Sequence, residues 1–318
     1  MSRKALIVGV DFYFHSSRLF GCVNDAYSVN AALERNFDGT KNFSSKVLIG
    51  TGETQPLNRR DLRAAIVDLF ADESEIALFY FAGHGYIEQT GGYLICSDSA
   101  DGADGMPIDE IITLANASKS KSRIIILDSC HSGIAGSTTF AKNHALISIG
   151  LTILTASTSA QYAAEANGSG LFTGLLVDAL NGGASNLLGD ITPGAVYAHI
   201  DQSLGPWDQR PLFKTNVTTF TSLRRTKPPI SLAVLKKITS YFSQPGHQLP
   251  LDPTFEPTSQ NTDRYKNEVF ADLQEMVKVN LVRPVGEDHM YYAAINSRSC
   301  EMTVLGEHYW RLVDRDII

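Results

Sequence analysis

The sequence predicts an α/β protein in which a three-layer α/β/α sandwich surrounds a mostly parallel sheet, followed by a small α+β domain. Two observations support the sandwich. Over residues 1–222, short apolar runs alternate with amphipathic stretches, a pattern that favours strand–helix–strand units. The runs Ile76–Phe81 and Ile124–Leu127 are apolar without alternation, which is typical of strands buried on both faces of a parallel sheet.

The elements of this first domain follow from the same patterns. We expect strands at residues 4–10, 46–49, 75–81, 122–127 and 151–155, with a short hairpin arm at 92–96. We expect helices at residues 24–37, 58–70, 108–117, 171–180 and 192–204. The second helix carries Leu62, Ile66 and Leu69 on one stripe. Thr192 followed by Pro193 is a typical start for the fifth helix.

A change of composition marks the end of the first domain at residue 222. Residues 223–230 hold two prolines and three basic side chains, and we interpret them as an extended linker. Residues 231–318 form the second domain. There we predict helices at 232–242, 265–279 and 302–312 and a hairpin at 283–295. This order is compatible with a winged-helix-like module.

Composition excludes several classes of protein. The 318 residues are 43% apolar and 19% charged, as in ordinary globular proteins, and no apolar run approaches the ~20 residues of a membrane-spanning helix. The net charge of −7 gives no reason to expect nucleic acid as the main partner. The N-terminus shows no signal peptide, and the four cysteines lack zinc-ligand or redox spacing. We therefore expect a cytoplasmic protein with reduced thiols and no membrane association.

Two predicted strands end in residues that carry chemistry. The strand at 75–81 is followed by the sequence AGHG, which contains His84, and the strand at 122–127 is followed by DSCHSG, which contains Cys130. Neighbouring parallel strands present their carboxyl ends at one edge of a sheet, so both side chains are expected at that edge. An imidazole beside a thiol raises its nucleophilicity or lowers its pKa, which makes the pair a candidate nucleophilic dyad.

Each of these residues also has a structural interpretation. A cysteine after an apolar strand is usually part of the core, and a lone histidine is usually a hydrogen-bonded structural residue. The combination of both at strand ends, beside glycines, favours catalysis. His131 is the competing base, but its place next to Cys130 makes a return to the thiol difficult, so His84 is preferred. The backbone amides of Gly85 and Cys130 are the candidate oxyanion hole.

The motifs carry a family resemblance. The segments FYFAGHG (79–85) and LDSCHSG (127–133) resemble the two signature motifs of the caspase-like cysteine peptidases, in particular the metacaspases and bacterial caspase homologues. Three further segments are similar to pieces of the same catalytic domain: GCVNDA (21–26), SGLFT (169–173) and QRP (209–211). The resemblance covers residues 4–215 and leaves residues 231–318 outside it.

The resemblance implies the caspase-like version of the sandwich and a cysteine endopeptidase. His84 would be the general base and Cys130 the nucleophile that forms a thioester acyl-enzyme, with no cofactor required. Asp25 matches a position that lines the substrate pocket of metacaspases, and Asp128 lies two residues before the nucleophile. Two carboxylates in one pocket favour an Arg or Lys side chain. The alternatives are a helix-capping role for Asp25 and loop hydrogen bonding for Asp128.

Basic specificity makes basic residues of the chain itself candidates for self-cleavage, as in a zymogen. Lys142 lies in a Ser/Thr-rich segment, and Arg224, Arg225 and Lys227 lie in the predicted linker. The alternative, at least as strong, is that these are ordinary solvated basic residues.

Calcium is the one metal that the resemblance suggests, because many metacaspases need it. Asp98, Asp101, Asp104 and Asp109 are the candidate oxygen ligands. However, the segment lacks the ligand spacing of an EF-hand, and an acid at a helix start such as Asp109 is an ordinary partner of the helix dipole. The balance favours no metal requirement.

The second domain suggests regulation. Residues 231–318 hold 9 Lys and Arg against 12 Asp and Glu, which disfavours DNA binding and favours a protein partner. The leading hypothesis is a regulated Arg/Lys-specific peptidase acting on protein substrates in bacterial defence or cell-death signalling. The alternatives are a catalytically silent adaptor and a nucleic-acid-binding regulator that acts through residues 231–318. Caspases work as dimers and metacaspases mostly as monomers, so the oligomeric state stays open.

Overall fold

The computed structural model describes residues 2–88, 91–129, 147–156, 169–204 and 210–318, together with the backbone of residues 137–138, 141–145 and 165–166. The chain divides into two compact units. The first comprises residues 1–185 and 190–227, and the second comprises residues 186–189 and 228–318.

The first unit contains fifteen strands and five helices among its described residues. Its strands are β1 (Arg3–Val10), β2 (Ser44–Gly50), β3 (Ile76–Ala82), β4 (Gly85–Glu88), β5 (Gly91–Leu94), β6 (Met106–Pro107), β7 (Ser122–Asp128), β8 (Ser137–Thr138), β9 (Ala141–Ala145), β10 (Leu151–Thr155), β11 (Glu165–Ala166), β12 (Ser169–Gly170), β13 (Asp190–Ile191), β14 (Leu212–Asn216) and β15 (Arg224–Arg225). Its α-helices are α1 (Cys22–Glu34), α2 (Arg59–Ala71), α3 (Ile108–Ala117), α4 (Leu171–Asp178) and α5 (Pro193–Leu204).

Six of the described strands form the central sheet, in the order β14-β10-β7-β3-β1-β2. The pairs β10–β7, β7–β3, β3–β1 and β1–β2 are parallel. At one edge of the sheet, β14 runs antiparallel to β10. The mostly parallel sheet expected from the apolar runs is therefore present. The edge strand β14 was not predicted, because its sequence LFKTN is short, mixed in polarity and only partly buried.

Helices cover both faces of this sheet, which gives the expected three layers. On one face α2 and α3 bring Ile66 and Ile111 into a cluster with the sheet. On the other face α1, α4 and α5 contribute Val29, Leu176 and Ile200 to a second cluster. All residues of β3 and β7 are buried, and the apolar runs Ile76–Phe81 and Ile124–Leu127 lie within them, as expected for inner strands of a parallel sheet.

The bounds of α3 and β10 are the predicted ones, whereas α1 is displaced toward the N-terminus. It begins at Cys22 and ends at Glu34 rather than at residue 37. The Oδ1 atom of Asp11 accepts hydrogen bonds from the amides of Cys22 (2.9 Å) and Val23 (3.3 Å), so a residue of the preceding loop caps the helix. No helix in the described parts of the chain is long and apolar enough to cross a membrane.

The segment 223–230 differs from the extended linker that its prolines and basic residues suggested. Leu223 is buried in the core of the first unit, with 1% of its surface exposed. Arg224 and Arg225 form β15, which pairs with β13. The first unit therefore continues to residue 227, because backbone pairing and a buried leucine hold a segment whose composition alone favours an exposed chain.

The second unit has its own core around a small antiparallel sheet. Its elements are α6 (Leu232–Lys236), α7 (Ile238–Tyr241), β16 (Gln248–Pro250), α8 (Arg264–Lys278), β17 (Val282–Val285), α9 (Met290–Ile295), β18 (Ser299–Met302) and α10 (Val304–Asp314). The strand order is β16-β18-β17. The helix expected at 232–242 is thus divided into two short helices.

The hairpin predicted at 283–295 is wrong. The strand β17 is followed by the helix α9, and its partner is the later strand β18. We expected a second strand within residues 283–295, but Met290, Ala293 and Ala294 are buried side chains of the helix α9. A wing is a hairpin between two strands, so the winged-helix-like expectation for residues 231–318 is not confirmed.

Candidate active site

The predicted catalytic residues follow two strands that are neighbours in the sheet. Strands β3 and β7 are parallel, and Ala82 is aligned with Asp128 at their carboxyl ends. The Gly83 amide donates to the Asp128 carbonyl oxygen at 3.2 Å, which holds the two exits together. His84 comes two residues after Ala82, and Cys130 comes two residues after Asp128 in the sequence. Cys130 and His131 themselves lie outside the described residues.

His84 is held by the loop that follows β1. Its Nε2 atom lies 2.9 Å from the carbonyl oxygen of Ser17. A carbonyl oxygen can only accept a hydrogen bond, so Nε2 carries the hydrogen when the ring is neutral. The lone pair of the neutral imidazole is then on Nδ1, which is the atom able to take a proton.

Tyr13 holds the same histidine through its backbone and its ring. Its hydroxyl donates to the Val10 carbonyl oxygen (2.9 Å) and accepts the His84 amide hydrogen (2.9 Å). The two rings lie 4.7 Å apart between centroids. A side chain at Gly83 would place its Cβ 2.8 Å from the Tyr13 hydroxyl, so glycine is needed there for close packing. Burial raises the pKa of Tyr13 well above its usual value, and the phenol therefore stays a donor.

In the β4–β5 hairpin that follows His84, the N–H group of Gly85 points away from the partner strand β5. Gly85 is aligned with Leu94 in the β4–β5 pair, and the Ile95 amide donates to the His84 carbonyl oxygen at 2.9 Å. In an antiparallel ladder, this makes Gly85 and Leu94 a non-hydrogen-bonded pair. The Gly85 N–H group is thus directed out of the ladder, as an oxyanion donor would require. The other predicted donor, the Cys130 amide, is not among the described residues.

Asp25 and Asp128 both lie beside Gly170. Asp25, in the first turn of α1, is 2% exposed, and Asp128, at the end of β7, is 8% exposed. The Gly170 amide donates to Asp25 Oδ2 at 3.0 Å. A Cβ atom on Gly170 would lie 2.7 Å from Asp128 Oδ2 and 3.3 Å from Asp25 Oδ2. The predicted acidic pair is therefore brought together, and the N-cap position of α1 belongs to Gly21 rather than to Asp25.

Two hydroxyl groups that the sequence analysis did not single out lie behind Asp128. The Thr173 hydroxyl donates to Asp128 Oδ2 at 2.6 Å, and the Tyr80 hydroxyl lies 2.6 Å from the Thr173 oxygen. Burial, and next the negative charges of Asp128 and Asp25, raise the pKa of Tyr80 well above its usual value. The resemblance of segment 169–173 to the family domain was the available signal for Thr173. Tyr80 lies in an apolar strand and in the motif FYFAGHG, but neither pattern indicates a hydrogen bond to Thr173.

Three of the acidic residues considered for calcium accept hydrogen bonds from backbone amides. Asp98 Oδ1 accepts the Arg59 amide hydrogen at 3.0 Å. Asp101 and Asp104 accept each other's backbone amide hydrogens in a reciprocal cap. Burial raises the pKa of Asp109. Across the described part of the chain, no group of three His, Cys, Asp or Glu side chains is arranged to hold a metal ion.

The predicted self-cleavage residues differ in their surroundings. Arg224 is half-buried, and its guanidinium donates to the carbonyl oxygens of Arg35 (3.1 Å) and Leu180 (3.0 Å) and to Asn181 Oδ1 (2.6 Å). Burial lowers its pKa. The side chain of Lys142 lies outside the described residues.

Arg225 and Lys227 are exposed. Arg225 belongs to β15, and its guanidinium lies 3.8 Å from an oxygen of Asp38. The description of the basic cluster as an exposed linker is therefore incorrect for Arg224.

The chain is similar in sequence to a known family and to curated proteins. The Peptidase C14 caspase-domain family model matches residues 2–225. The chain is 30% identical over 145 residues to metacaspase-7 of Arabidopsis thaliana, covering 42% of this chain and 35% of that protein. It is 27% identical over 154 residues to metacaspase-1A of Aspergillus terreus, covering 42% and 36%. The chain thus spans about a third of the length of these curated relatives.

A solved structure shows the same fold. Caspase-1 from Spodoptera frugiperda matches 71% of this chain and 91% of its own chain, with a TM-score of 0.53 at 14% identity. At this identity the likeness supports the fold of the first unit, including its mostly parallel sheet, and no finer property.

Proposed function

We propose, from the premise that the chain belongs to the Peptidase C14 caspase-domain family, that it is a cysteine endopeptidase that cleaves proteins after Arg or Lys. The observation that carries this proposal is the arrangement at the carboxyl edge of the sheet. There the Nε2 atom of His84 is held near the end of β7, and two buried carboxylates, Asp25 and Asp128, both lie beside Gly170.

The chemical step assigns one role to each side chain. His84 Nδ1 takes the proton of the Cys130 thiol, and the sulfur attacks the carbonyl carbon of the substrate. The tetrahedral oxyanion is bound by the amides of Gly85 and Cys130. The bond to the amine then breaks, the amine takes the proton from His84, and a thioester remains. His84 next removes a proton from water, which attacks the thioester and releases the carboxylic acid and the thiol.

The specificity follows from charge. A guanidinium or ammonium group that enters the space beside Gly170 meets two carboxylates, and charge-assisted hydrogen bonds to them are short and strong. An Asp or Glu side chain would be repelled there. The same argument excludes the aspartate specificity of caspases proper, which hold an acidic side chain with arginines.

The second unit is proposed as a regulatory module that binds a protein. The family match ends at residue 225, so the module lies outside it. Tyr291 and Tyr292 on α9 are about half exposed, at 45% and 50%. Self-cleavage at exposed basic residues and a role in defence or cell-death signalling complete the proposal, and these two points rest on the family resemblance.

The proposal is tested with three fluorogenic peptides that differ only in the residue before the cleaved bond: Arg, Lys or Asp. We expect turnover of the first two and none of the third. The Cys130→Ala variant should lose the activity, whereas Cys300→Ala should keep it, because burial raises the pKa of the Cys300 thiol to about 12 and leaves it unreactive. No Cys130-dependent turnover of any peptide would instead favour the silent adaptor.

A further inference from the structure

A directed chain of hydroxyl groups ends on one of the two pocket acids. The Thr173 hydroxyl donates its only hydrogen to Asp128 Oδ2 at 2.6 Å. The hydrogen bond between Thr173 and Tyr80, also 2.6 Å, must therefore be donated by the Tyr80 phenol. The order of donation is Tyr80 to Thr173 to Asp128. Such a chain stabilises a carboxylate at its end, because each donated hydrogen polarises the next group.

The three groups come from three separate elements of the sandwich. Tyr80 is on β3 and fully buried, Thr173 is on α4 and 1% exposed, and Asp128 is the last residue of β7. The Tyr80 phenol has a pKa far above neutral through burial, so it stays protonated. A fixed donor in the core thus determines where the Thr173 hydroxyl points, and the Thr173 hydroxyl determines where Oδ2 of Asp128 lies.

The neighbouring glycine makes this position important for a ligand. A Cβ atom at Gly170 would lie 2.7 Å from Asp128 Oδ2. The backbone amide of the same glycine donates a hydrogen bond to Asp25 Oδ2. One short segment, residues 170–173, therefore positions both acids, using a backbone amide for one and a hydroxyl for the other.

We propose that Thr173, supported by Tyr80, is a specificity-positioning residue that holds the Asp128 carboxylate in the orientation that binds the basic side chain of the substrate. The inference deepens the proposed Arg/Lys specificity and rests on it. Thr173 acts through Asp128 and does not itself contact the substrate. Without the Thr173 hydroxyl, Oδ2 of Asp128 loses a charge-assisted hydrogen bond that orients it for the ligand.

The test uses the full chain with Thr173→Val, which removes the hydroxyl at nearly constant volume, and Thr173→Ser, which restores it. With the Arg peptide, Thr173→Val should raise KM by ~10-fold, since hydrogen bonds to charged groups are among the stronger ones. Its kcat should stay within about twofold, because Cys130 and His84 are untouched. Thr173→Ser should return KM to within about twofold of the wild-type value. Tyr80→Phe should raise KM by a smaller factor, since it removes only the outer member of the chain.

A matched control separates positioning from stability. Thr152 on β10 is also buried, and its hydroxyl is hydrogen-bonded to that of Thr215 at 2.9 Å. Thr152→Val should lower the melting temperature as Thr173→Val does, yet leave KM unchanged. If both variants change KM and kcat alike, Thr173 is merely structural and the inference is overturned.

A binding experiment distinguishes failure of this inference from failure of the proposed function. In the Cys130→Ala background, calorimetry with butylguanidine should show binding that Thr173→Val weakens by ~10-fold. Cleavage of Arg peptides with an unchanged KM in Thr173→Val would overturn the inference and leave the function intact. Absence of both cleavage and butylguanidine binding in the parent proteins would overturn the function and the inference together.

Discussion

The Tyr13 hydroxyl accepts the backbone amide hydrogen of His84, while the Tyr13 ring packs against the imidazole at 4.7 Å. One buried side chain thus fixes both the main chain and the ring of the proposed base. Since Tyr13 also donates to the Val10 carbonyl oxygen, the position of His84 is tied to the end of β1.

This relationship predicts the effect of Tyr13→Phe. The change leaves the His84 amide without that acceptor, a loss worth about 1–3 kcal/mol for a buried group. We expect kcat to fall by ~10-fold, at about 1.4 kcal/mol per factor of ten, with KM unchanged. Steady-state kinetics with an Arg peptide measures both constants. The control is Tyr265→Phe in the second unit, whose side chain is 72% exposed and whose kcat should equal that of the wild type. If Tyr13→Phe also has the kcat of the wild type, the role assigned to Tyr13 is contradicted.

A substitution at Gly170 tests whether the substrate's basic side chain binds beside Asp25 and Asp128. Gly170→Ala places a methyl group 2.7 Å from Asp128 Oδ2, so a basic side chain should be excluded and KM should rise. We expect ~10-fold or more, because displacement of a charge-assisted bond costs at least that factor. Gly174→Ala, on the helix α4 that follows Gly170, is the matched control, since its Cβ meets no atom within 4 Å. If the basic side chain binds elsewhere, Gly170→Ala and Gly174→Ala should have the same KM, and this result would contradict the proposed pocket.

We predict that self-cleavage does not occur after Arg224. Its guanidinium is bound by two carbonyl oxygens and an amide oxygen, and its backbone is paired in β15, so a peptidase cannot take it as an extended substrate. After incubation, mass spectrometry should find Cys130-dependent cuts at exposed basic residues such as Lys227, or at Lys142, and none after Arg224. A cut after Arg224 in the folded protein would show that this strand opens readily.

Activity should not depend on calcium. The carboxylates of Asp98, Asp101 and Asp104 already accept hydrogen bonds from backbone amides, and a cation would have to displace these bonds. Turnover of the Arg peptide should be the same in excess chelator and in millimolar calcium. Loss of turnover in chelator, with recovery on adding calcium, would place a required cation in this protein.

The sequence predicts the sheet well because its signals are local. The apolar runs that become β3 and β7 and the motifs after them locate His84 and Asp128 without any knowledge of contacts. Tyr13 could not be identified in this way, because a tyrosine in a loop has no distinguishing local pattern. The resemblance of segment 169–173 to the family domain includes Thr173, but its contact with Asp128 depends on which strands and helices become neighbours.

The second unit shows the opposite limit. Residues 283–295 resemble a hairpin in sequence, but residues 290–295 form the helix α9, which buries Met290, Ala293 and Ala294. Likewise, the basic composition around Arg224 favours an exposed linker, while the hydrogen bonds that hold its guanidinium come from distant residues. Long-range contacts, rather than propensity, determine both outcomes.

Covalent trapping tests the central claim most directly. An arginine-based chloromethyl ketone carries both the basic side chain and an electrophile, and peptide mass spectrometry identifies the sulfur that it alkylates. Labelling is predicted at Cys130 alone, with strong loss in His84→Ala and in Asp128→Asn. Labelling of another cysteine, or labelling of Cys130 at the same rate in both variants, would contradict the account.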